Sequence, residues 1–251
     1  MFWDFKKHGE NLNGLGQAMA AAVEQRMKSE KLKTELITNV SHDIKTPLTS
    51  IINYVDLLSK EGLTGQGAEY VAVLEKQAQR LKKLTEDLVE ASKASTGNLS
   101  VDLAPTDVGE LLGQAVAEYA DRLEQAGLEA VLTIPEGGCR AMADGRMLWR
   151  ILDNLLSNAC KYAQPETRLY IDASTDENLA GISMKNVSRL RLNMSPDELM
   201  ERFVRGDSAR STEGSGLGLN IAKSLAELQR GSLRLFIDGD LFKAVLSFPK
   251  A

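Results

Sequence analysis

The sequence predicts an α+β protein in which a long helical hairpin precedes an α/β sandwich. Up to residue 94, apolar residues recur at spacings of three and four, as they do along the buried side of amphipathic helices. After a composition break at residues 95–98, the patterns of strands and helices alternate, which is typical of a mixed sheet covered by helices. A chain of 251 residues is long enough for two such domains.

The first helix is expected to span residues 12 to about 61 and to bury one apolar stripe. The stripe consists of Ile37, Val40, Ile44, Leu48, Ile51, Val55 and Leu58. His42 then lies about 160° around the helix from this stripe, at about 3.6 residues per turn. Its imidazole is held in water beside Asp43, with Thr46 on the same outer face. This position favours chemistry at His42 over packing.

A turn is predicted at residues 62–67, where three of the six residues are glycine. A second helix follows down to Ala94, with an apolar stripe of Val71, Leu74, Ala78, Leu81, Leu84 or Thr85, Leu88 and Ala91. Each helix of such a hairpin keeps apolar surface that one partner helix leaves uncovered. Because two hairpins packed as a four-helix bundle would cover it, the sequence predicts a homodimer.

The second part of the chain is expected to alternate between strands and helices. Strands are predicted near residues 99–103, 128–134, 169–173 and 181–185, and a closing hairpin at 233–237 and 244–248 turns across residues 238–240. Thr106 or Asp107 is expected to cap a helix that ends near Gln125, and Asp144 a helix that ends near Tyr162. A further helix is predicted after Gly218. Together these elements predict a sheet layered against helices.

Four polar residues form a line along the helix that follows Asp144. Asn154, Asn158, Lys161 and Tyr162 stand at i, i+4, i+7 and i+8, so they share one face. Asparagine oxygens can hold a hydrated Mg²⁺ that bridges phosphates, and a lysine offers a point charge to a phosphate. A solvated polar face is the alternative interpretation of the same pattern.

A glycine-rich segment, residues 214–218, precedes the helix that begins near residue 219. Its glycines Gly214, Gly216 and Gly218, the last two separated by Leu217, would let backbone N–H groups approach a phosphate at the start of that helix. A flexible turn is the alternative. Upstream, residues 201–207 supply one aromatic residue and two arginines, and the small polar residues 206–215 are typical of a mobile lid.

Composition narrows the classes of partner and compartment. With a net charge of −5 at pH 7, the chain shows no sign of a basic surface, so we expect no nucleic-acid partner. Cys139 and Cys160 lack metal-ligand spacing, and we interpret both as small buried residues of a reducing compartment. No stretch approaches roughly 18 consecutive apolar residues, and the start lacks the apolar core of a signal peptide. The aromatic residues followed by lysines at the start are typical either of the cytoplasmic exit of a membrane span or of a frayed terminus.

Taken together, these motifs resemble the sensor histidine kinases of two-component signalling. Residues 42–48 resemble the H box of that family, residues 154–162 its N box, residues 201–207 its F box and residues 214–218 its second glycine box, in the family's order. The resemblance covers residues 30 to 249 and implies three parts: an N-terminal signalling helix (1–30), a dimerisation and histidine phosphotransfer domain (31–95) and a catalytic ATP-binding domain of the Bergerat type (99–251). It also implies a cytoplasmic location, either free or attached to a membrane through a missing N-terminal portion.

The resemblance implies a role for each motif residue of the hairpin. His42 would accept the γ-phosphoryl group of ATP through a ring nitrogen, and Asp43 would make that nitrogen nucleophilic. Thr46 would position water for dephosphorylation of a response-regulator partner.

In the second domain the resemblance implies a site for ATP and Mg²⁺. Asn158 would hold Mg²⁺, with Asn154 lining the same face. Lys161 and Arg205 would contact phosphates, and Tyr162 would lie near the adenine. The loop residues Gly214, Gly216, Leu217 and Gly218 would surround the phosphates.

One motif departs from the family pattern. The family carries Asp-x-Gly-x-Gly after the strand that ends near Lys185, but here Asn186 stands at the aspartate position and both glycines are absent, with Ser188 at the first of them. An amide oxygen can still accept a hydrogen bond from the adenine amino group, although it lacks the charge of a carboxylate.

From the resemblance as a whole we expect a protein-histidine kinase that also acts as a phosphatase of its regulator. The alternative is a non-kinase or phosphatase-only signalling module with a degenerate adenine pocket.

Overall fold

The computed structural model describes residues 44–45, 47–95, 99–192, 195–200 and 216–251. The chain divides into two compact units, Met1–Thr96 and Gly97–Ala251. The first is helical and the second is an α/β unit, so the α+β fold class predicted from the sequence is confirmed.

The first unit contains two long helices joined by a glycine turn. Helix α1 is helical at residues 44–45 and 47–60, and helix α2 spans Gln66–Ser95. Gly62 and Gly65 in the turn have φ angles of +70° and +60°, a left-handed conformation that glycine adopts without steric cost. The predicted turn is confirmed, and the described part of the first helix agrees with its predicted end near residue 61.

The apolar stripe of α1 is divided between buried and exposed positions. Leu48 and Val55 are buried, whereas Ile44, Ile51 and Leu58 are between 39% and 51% exposed. This division agrees with the expectation that each helix of the hairpin keeps apolar surface that one partner helix leaves uncovered. Residues seven apart lie on the same side of a helix, so the exposed set forms a second seam beside the buried one.

The second unit is built on a five-stranded sheet with the strand order β2-β4-β5-β7-β6. The strands are β2 (Leu128–Thr133), β4 (Thr167–Thr175), β5 (Leu179–Val187), β6 (Ser232–Asp238) and β7 (Leu241–Pro249). Only β2 and β4 pair in parallel, and the other neighbours are antiparallel. Burial alternates along β4 and β5, so one face of the sheet lies in the core.

Helices cover the buried face of this sheet. They are α3 (Val108–Glu118), α4 (Ala120–Gln125), α5 (Gly145–Tyr162), α6 (Pro196–Met200) and α7 (Gly218–Leu228). Asp107 caps α3 by accepting the N–H of Glu110 at 3.0 Å, and Asp144 caps α5 by accepting from Arg146 and Met147. Helices α5 and α7 pack against each other, and this pair carries two of the sequence motifs.

Two local predictions in this unit are wrong. Residues 99–103 are not a strand; strand β1 is Ala104–Asp107, which pairs with β3 (Arg140–Ala143) as a separate two-stranded sheet. The exposed Pro105 is tolerated there because β1 is an edge strand. The helix predicted to reach residue 125 is interrupted at Tyr119, whose ring is buried and whose hydroxyl donates to Asp153 of α5, a tertiary contact that local sequence does not reveal.

Candidate functional site

The polar line of α5 lies on the described structure. Asn154 is buried, with 8% of its surface exposed, and its amide nitrogen donates to the carbonyl of Arg150 at 2.9 Å. Asn158, Lys161 and Tyr162 are half-buried. The line therefore runs from the interior to the surface, and the interpretation as a fully solvated face does not fit its buried end.

Helix α7 begins beside this line without a side-chain cap. Gly216 has a φ of +70°, and the N-cap residue Leu217 is buried and makes no side-chain capping hydrogen bond. A methyl group on Gly218 would lie 3.1 Å from Asn154 Oδ1, so a larger residue would require the Asn154 side chain or the start of α7 to shift by a few tenths of an ångström. The start of a helix favours an anion, because its N–H groups point outward and the helix dipole adds positive potential there.

The carboxyl end of α5 is tied to the segment after β5. The N–H of Gln164 donates to the carbonyl of Val187 at 2.8 Å, and the N–H of Arg189 donates to the carbonyl of Tyr162 at 2.8 Å. This pairing brings Tyr162 next to residues 186–190, the segment that differs from the family's Asp-x-Gly-x-Gly pattern. The sequence does not predict this contact, since a backbone pairing between distant segments leaves no signal in the side-chain pattern.

Residues 186–190, which stand where the family carries Asp-x-Gly-x-Gly, form a turn closed by their own side chains. Asn186 is 7% exposed, and its amide nitrogen donates to the Val187 carbonyl at 3.1 Å. Ser188 donates to the carbonyl of Leu190 at 2.7 Å and accepts the N–H of the same residue at 3.3 Å. The amide nitrogen of Asn186 faces a carbonyl oxygen, so its Oδ1 is the end that remains as an acceptor. Among the described residues, that oxygen accepts no hydrogen bond.

A polar network supports α5 on its side toward α3 and α4. The hydroxyl of Tyr119 donates to the carboxylate of Asp153, and the Arg150 guanidinium donates to the same carboxylate at 3.0 Å. Burial raises the pKa of Tyr119, and the hydrogen bond to Asp153 raises it further. This hydroxyl therefore stays protonated and serves as a donor that orients the helix.

Several predicted site residues lie outside the described residues. These are His42, Asp43, Thr46, Arg205 and Gly214. The structure brings Asn154 together with Gly218, and Tyr162 together with the segment after Asn186. Cys139 is buried as expected and Cys160 is half-buried, and burial raises the pKa of both thiols.

The described residues contain no group of three His, Cys, Asp or Glu side chains that could hold a metal ion. The oxygens available on the α5 face are asparagine amides. Such a set fits Mg²⁺ only if phosphate oxygens and water complete the coordination, which is how Mg²⁺ binds in many nucleotide sites. In the described part of the chain, no helix is both long enough and apolar enough to cross a membrane.

Two family models match the chain in the same order as the two units. Residues 32–97 match the His Kinase A (phospho-acceptor) domain, and residues 143–247 match the family of histidine kinase-, DNA gyrase B-, and HSP90-like ATPases. Together the two matches cover well over half of the chain.

Named relatives and a solved structure agree with these matches. The sensor protein VanS of Enterococcus faecium is 29% identical over 228 residues, which cover 89% of this chain and 59% of VanS. The sensor protein GacS of Pseudomonas syringae pv. syringae is 28% identical over 258 residues, covering 99% of this chain and 28% of GacS. The crystal structure of full-length ShkA in complex with AMPPNP superposes with a TM-score of 0.73 at 25% identity, over 86% of this chain and 46% of ShkA.

The chain thus spans 59% of VanS and 28% of GacS. Each of its two units matches a domain found in histidine kinases. The motif order, the α5–α7 arrangement and the two family models lead to the same assignment. The chain belongs to the sensor histidine kinases of two-component signalling.

Proposed function

We propose that this chain is an ATP-dependent protein-histidine kinase. It autophosphorylates His42 and transfers the phosphoryl group to an aspartate of a response regulator. The observation that carries the proposal is the close approach of the start of α7 to α5, where Gly218 lies against Asn154. An anion site next to a row of amide oxygens suits a nucleoside triphosphate bound together with a cation.

The nucleotide lies with its phosphates at the start of α7, near Gly216, Leu217 and Gly218. Leu217 contributes through its backbone, because its side chain is buried. The adenine lies near Tyr162, and its amino group donates to Oδ1 of Asn186. The fixed orientation of the Asn186 amide supports this role, since its nitrogen is already held by the Val187 carbonyl.

Asn158 would hold Mg²⁺, with phosphate oxygens and water completing its coordination. The cation supplies charge neutralisation at the transferring phosphoryl group. Lys161 and Arg205 add positive charge at the phosphates, and Asn154 keeps α7 in place beside them. The half-exposed position of Asn158 on α5 leaves room for a hydrated ion.

The transfer forms a bond between a ring nitrogen of His42 and the γ-phosphorus while the bond to the bridging oxygen breaks, so ADP leaves with the electron pair. Asp43 orients the imidazole and stabilises its positive charge. In the second step the regulator's aspartate oxygen bonds to phosphorus and the nitrogen–phosphorus bond breaks, which regenerates His42. Thr46 positions water for the opposing phosphatase reaction, in which water attacks the regulator's acyl phosphate, inorganic phosphate is released and the aspartate is restored.

The protein works as a homodimer formed through the first unit. Large apolar side chains of α1 and α2 are left exposed in one protomer, which supports a four-helix bundle made from two hairpins. Residues 31–95 form this dimerisation and phosphotransfer domain, residues 99–251 form the ATP-binding domain, and residues 1–30 connect it to a sensing portion.

Incubation with γ-labelled ATP and Mg²⁺ tests the proposal. We expect an acid-labile, alkali-stable label on the wild-type protein, no label on His42→Gln, and loss of Mg²⁺-dependent labelling in Asn158→Ala with the dimer intact. Label that persists in His42→Gln, or labelling at the wild-type rate in Asn158→Ala, would contradict the assigned roles.

The second candidate is a non-kinase or phosphatase-only signalling module. The neutral Asn186 and the self-closed turn at Ser188 favour it, because both replace groups that the family uses at the adenine. A titration with Mg-ATP separates the two candidates. Saturable binding supports the kinase, whereas absence of binding together with dephosphorylation of a phosphorylated regulator supports the module.

A further inference from the structure

A fully buried glutamine links the two helices that carry the nucleotide motifs. Gln229 follows the last residue of α7 and has 0% of its surface exposed. Its Oε1 accepts the backbone N–H of Asp144 at 2.8 Å, and its Nε2 donates to the carbonyl of Leu225 at 2.9 Å. Both ends of the amide are therefore engaged, one to its own helix and one to the start of α5.

Asp144 is itself a junction of three segments. Its carboxylate caps α5 by accepting from Arg146 and Met147, and its Oδ2 also accepts the N–H of Asp102 at 3.1 Å. Asp102 belongs to the stretch that leads from residue 99 into β1. The three segments thus meet at one buried residue: the carboxylate of Asp144 holds the start of α5 and the entering stretch, and its backbone N–H holds the end of α7.

The two helices run antiparallel and approach each other closely at two places. Gly218 lies against Asn154 at one end, and Gln229 bonds to Asp144 at the other. At about 1.5 Å rise per residue, the contacts are separated by about 15 Å along α5 and about 16.5 Å along α7. Because the two distances are similar, the hydrogen bond between Gln229 and Asp144 sets the axial position of Gly218 along α5.

Apolar packing between the helices does not by itself set the axial position of α7 along α5. The buried residues of α7 are aliphatic, and they are Ile221, Ala222, Leu225 and Ala226. Burial of such side chains is non-directional, so the hydrophobic effect alone does not select one axial position, although the fit of their shapes contributes. A hydrogen bond has a narrow range of length and angle, so the Gln229–Asp144 bond opposes an axial slide.

We propose that Gln229 is a positioning residue that fixes the axial register of α7 on α5 and so holds Gly218 against Asn154. The consequence for nucleotide binding rests on the function proposed above, in which the phosphates occupy the start of α7. The register itself concerns the apo domain and is measurable without nucleotide.

The test replaces Gln229 with methionine, which keeps the length and removes both hydrogen bonds. We expect the dissociation constant of ATP, measured by calorimetry well below the melting temperature, to rise on the order of tenfold, as for loss of a buried hydrogen bond. The matched control is Leu128→Ala on β2, a buried strand residue whose strand packs on α3, α4 and β4. The control is expected to lower the melting temperature while changing the dissociation constant by less than about twofold.

Amide hydrogen exchange provides the independent readout. In the nucleotide-free protein, Gln229→Met is expected to speed exchange of the N–H of Ile221, which bonds to the Leu217 carbonyl at 2.8 Å, more than Leu128→Ala does. If the wild-type protein binds no ATP, the proposed function fails, and the exchange result alone decides the register. Equal exchange in the two variants, or an unchanged ATP dissociation constant in a Gln229→Met protein whose wild type binds ATP, would overturn the positioning role.

Discussion

The two units differ in how completely they bury their own apolar residues. In the α/β unit, inward-facing residues such as Ile171, Leu246 and Phe248 are fully buried within one chain. In the hairpin, Ile51, Leu74 and Leu81 on the predicted stripes remain between 46% and 51% exposed. The difference indicates that the second unit buries its core within one chain, whereas the hairpin leaves much of its apolar stripes exposed.

The physical reason lies in geometry. A sheet with one covering layer of helices encloses the side chains between them, but two helices touch along one seam and leave their remaining apolar side in water. An exposed apolar surface of this kind marks an interaction site. The hairpin and the α/β unit should therefore respond differently to the same substitution.

The largest expected effect separates two leucines of similar exposure. Leu81 on α2 is 46% exposed and Leu179 on β5 is 43% exposed in one protomer. We expect Leu81→Asp to raise the dimer dissociation constant at least about 100-fold, roughly 3 kcal/mol, because the charge is buried between hairpins. Leu179→Asp should change the stability of its unit by less than about 1 kcal/mol. Light scattering and thermal unfolding at several concentrations measure both, and an unchanged Leu81→Asp dimer would remove the difference between the units.

A smaller effect is expected at the buried carboxylate of the α/β unit. Burial alone would raise the pKa of Asp144, but hydrogen bonds from Asp102, Met147 and Arg146 hold it below its usual value of 3.8. A depressed pKa contributes stability that is present above the unfolded value and is lost as the pH falls through the folded one. Asp144→Asn should therefore cost about 2 kcal/mol at pH 7 and progressively less below about pH 4.

Urea unfolding of this unit at pH 7 and at pH 3 checks the prediction. Because Asp144 lies inside a unit whose core is complete, the loss should not depend on protein concentration. A destabilisation that is the same at both pH values would contradict the charge-assisted role of the carboxylate.

The smallest effect contrasts one glycine from each unit. A methyl group on Gly218 meets Asn154 Oδ1 at 3.1 Å, whereas on Gly67 of α2 the nearest atom is 3.9 Å away. Gly218→Ala should weaken ATP binding about fivefold, since α7 must shift away from α5, and Gly67→Ala should stabilise the hairpin by about 0.5 kcal/mol. Calorimetric titration and thermal unfolding measure these changes, and tighter ATP binding by Gly218→Ala would exclude the close approach as a requirement.

Much of the fold followed from local pattern. The caps at Asp107 and Asp144, the end of α5 at Tyr162 and the start of α7 at Gly218 all agree with sequence signals, because capping and periodicity act over a few residues. The predictions at residues 99–103 and at Tyr119 failed where a partner distant in sequence decided the conformation. The position of β1 depends on its pairing with β3, and the break at Tyr119 accompanies a bond to α5.

Within the candidate site, sequence named the residues and the tertiary structure supplied their relations. The motifs alone pointed to Asn154, Asn158 and the glycine segment, since residue type and spacing are read directly from the sequence. Only the folded unit reveals that Gly218 meets Asn154, that Val187 orients the Asn186 amide, and that Gln229 reaches Asp144. These contacts join residues up to 85 positions apart, and such pairings depend on how helices and strands pack together, which no local pattern encodes.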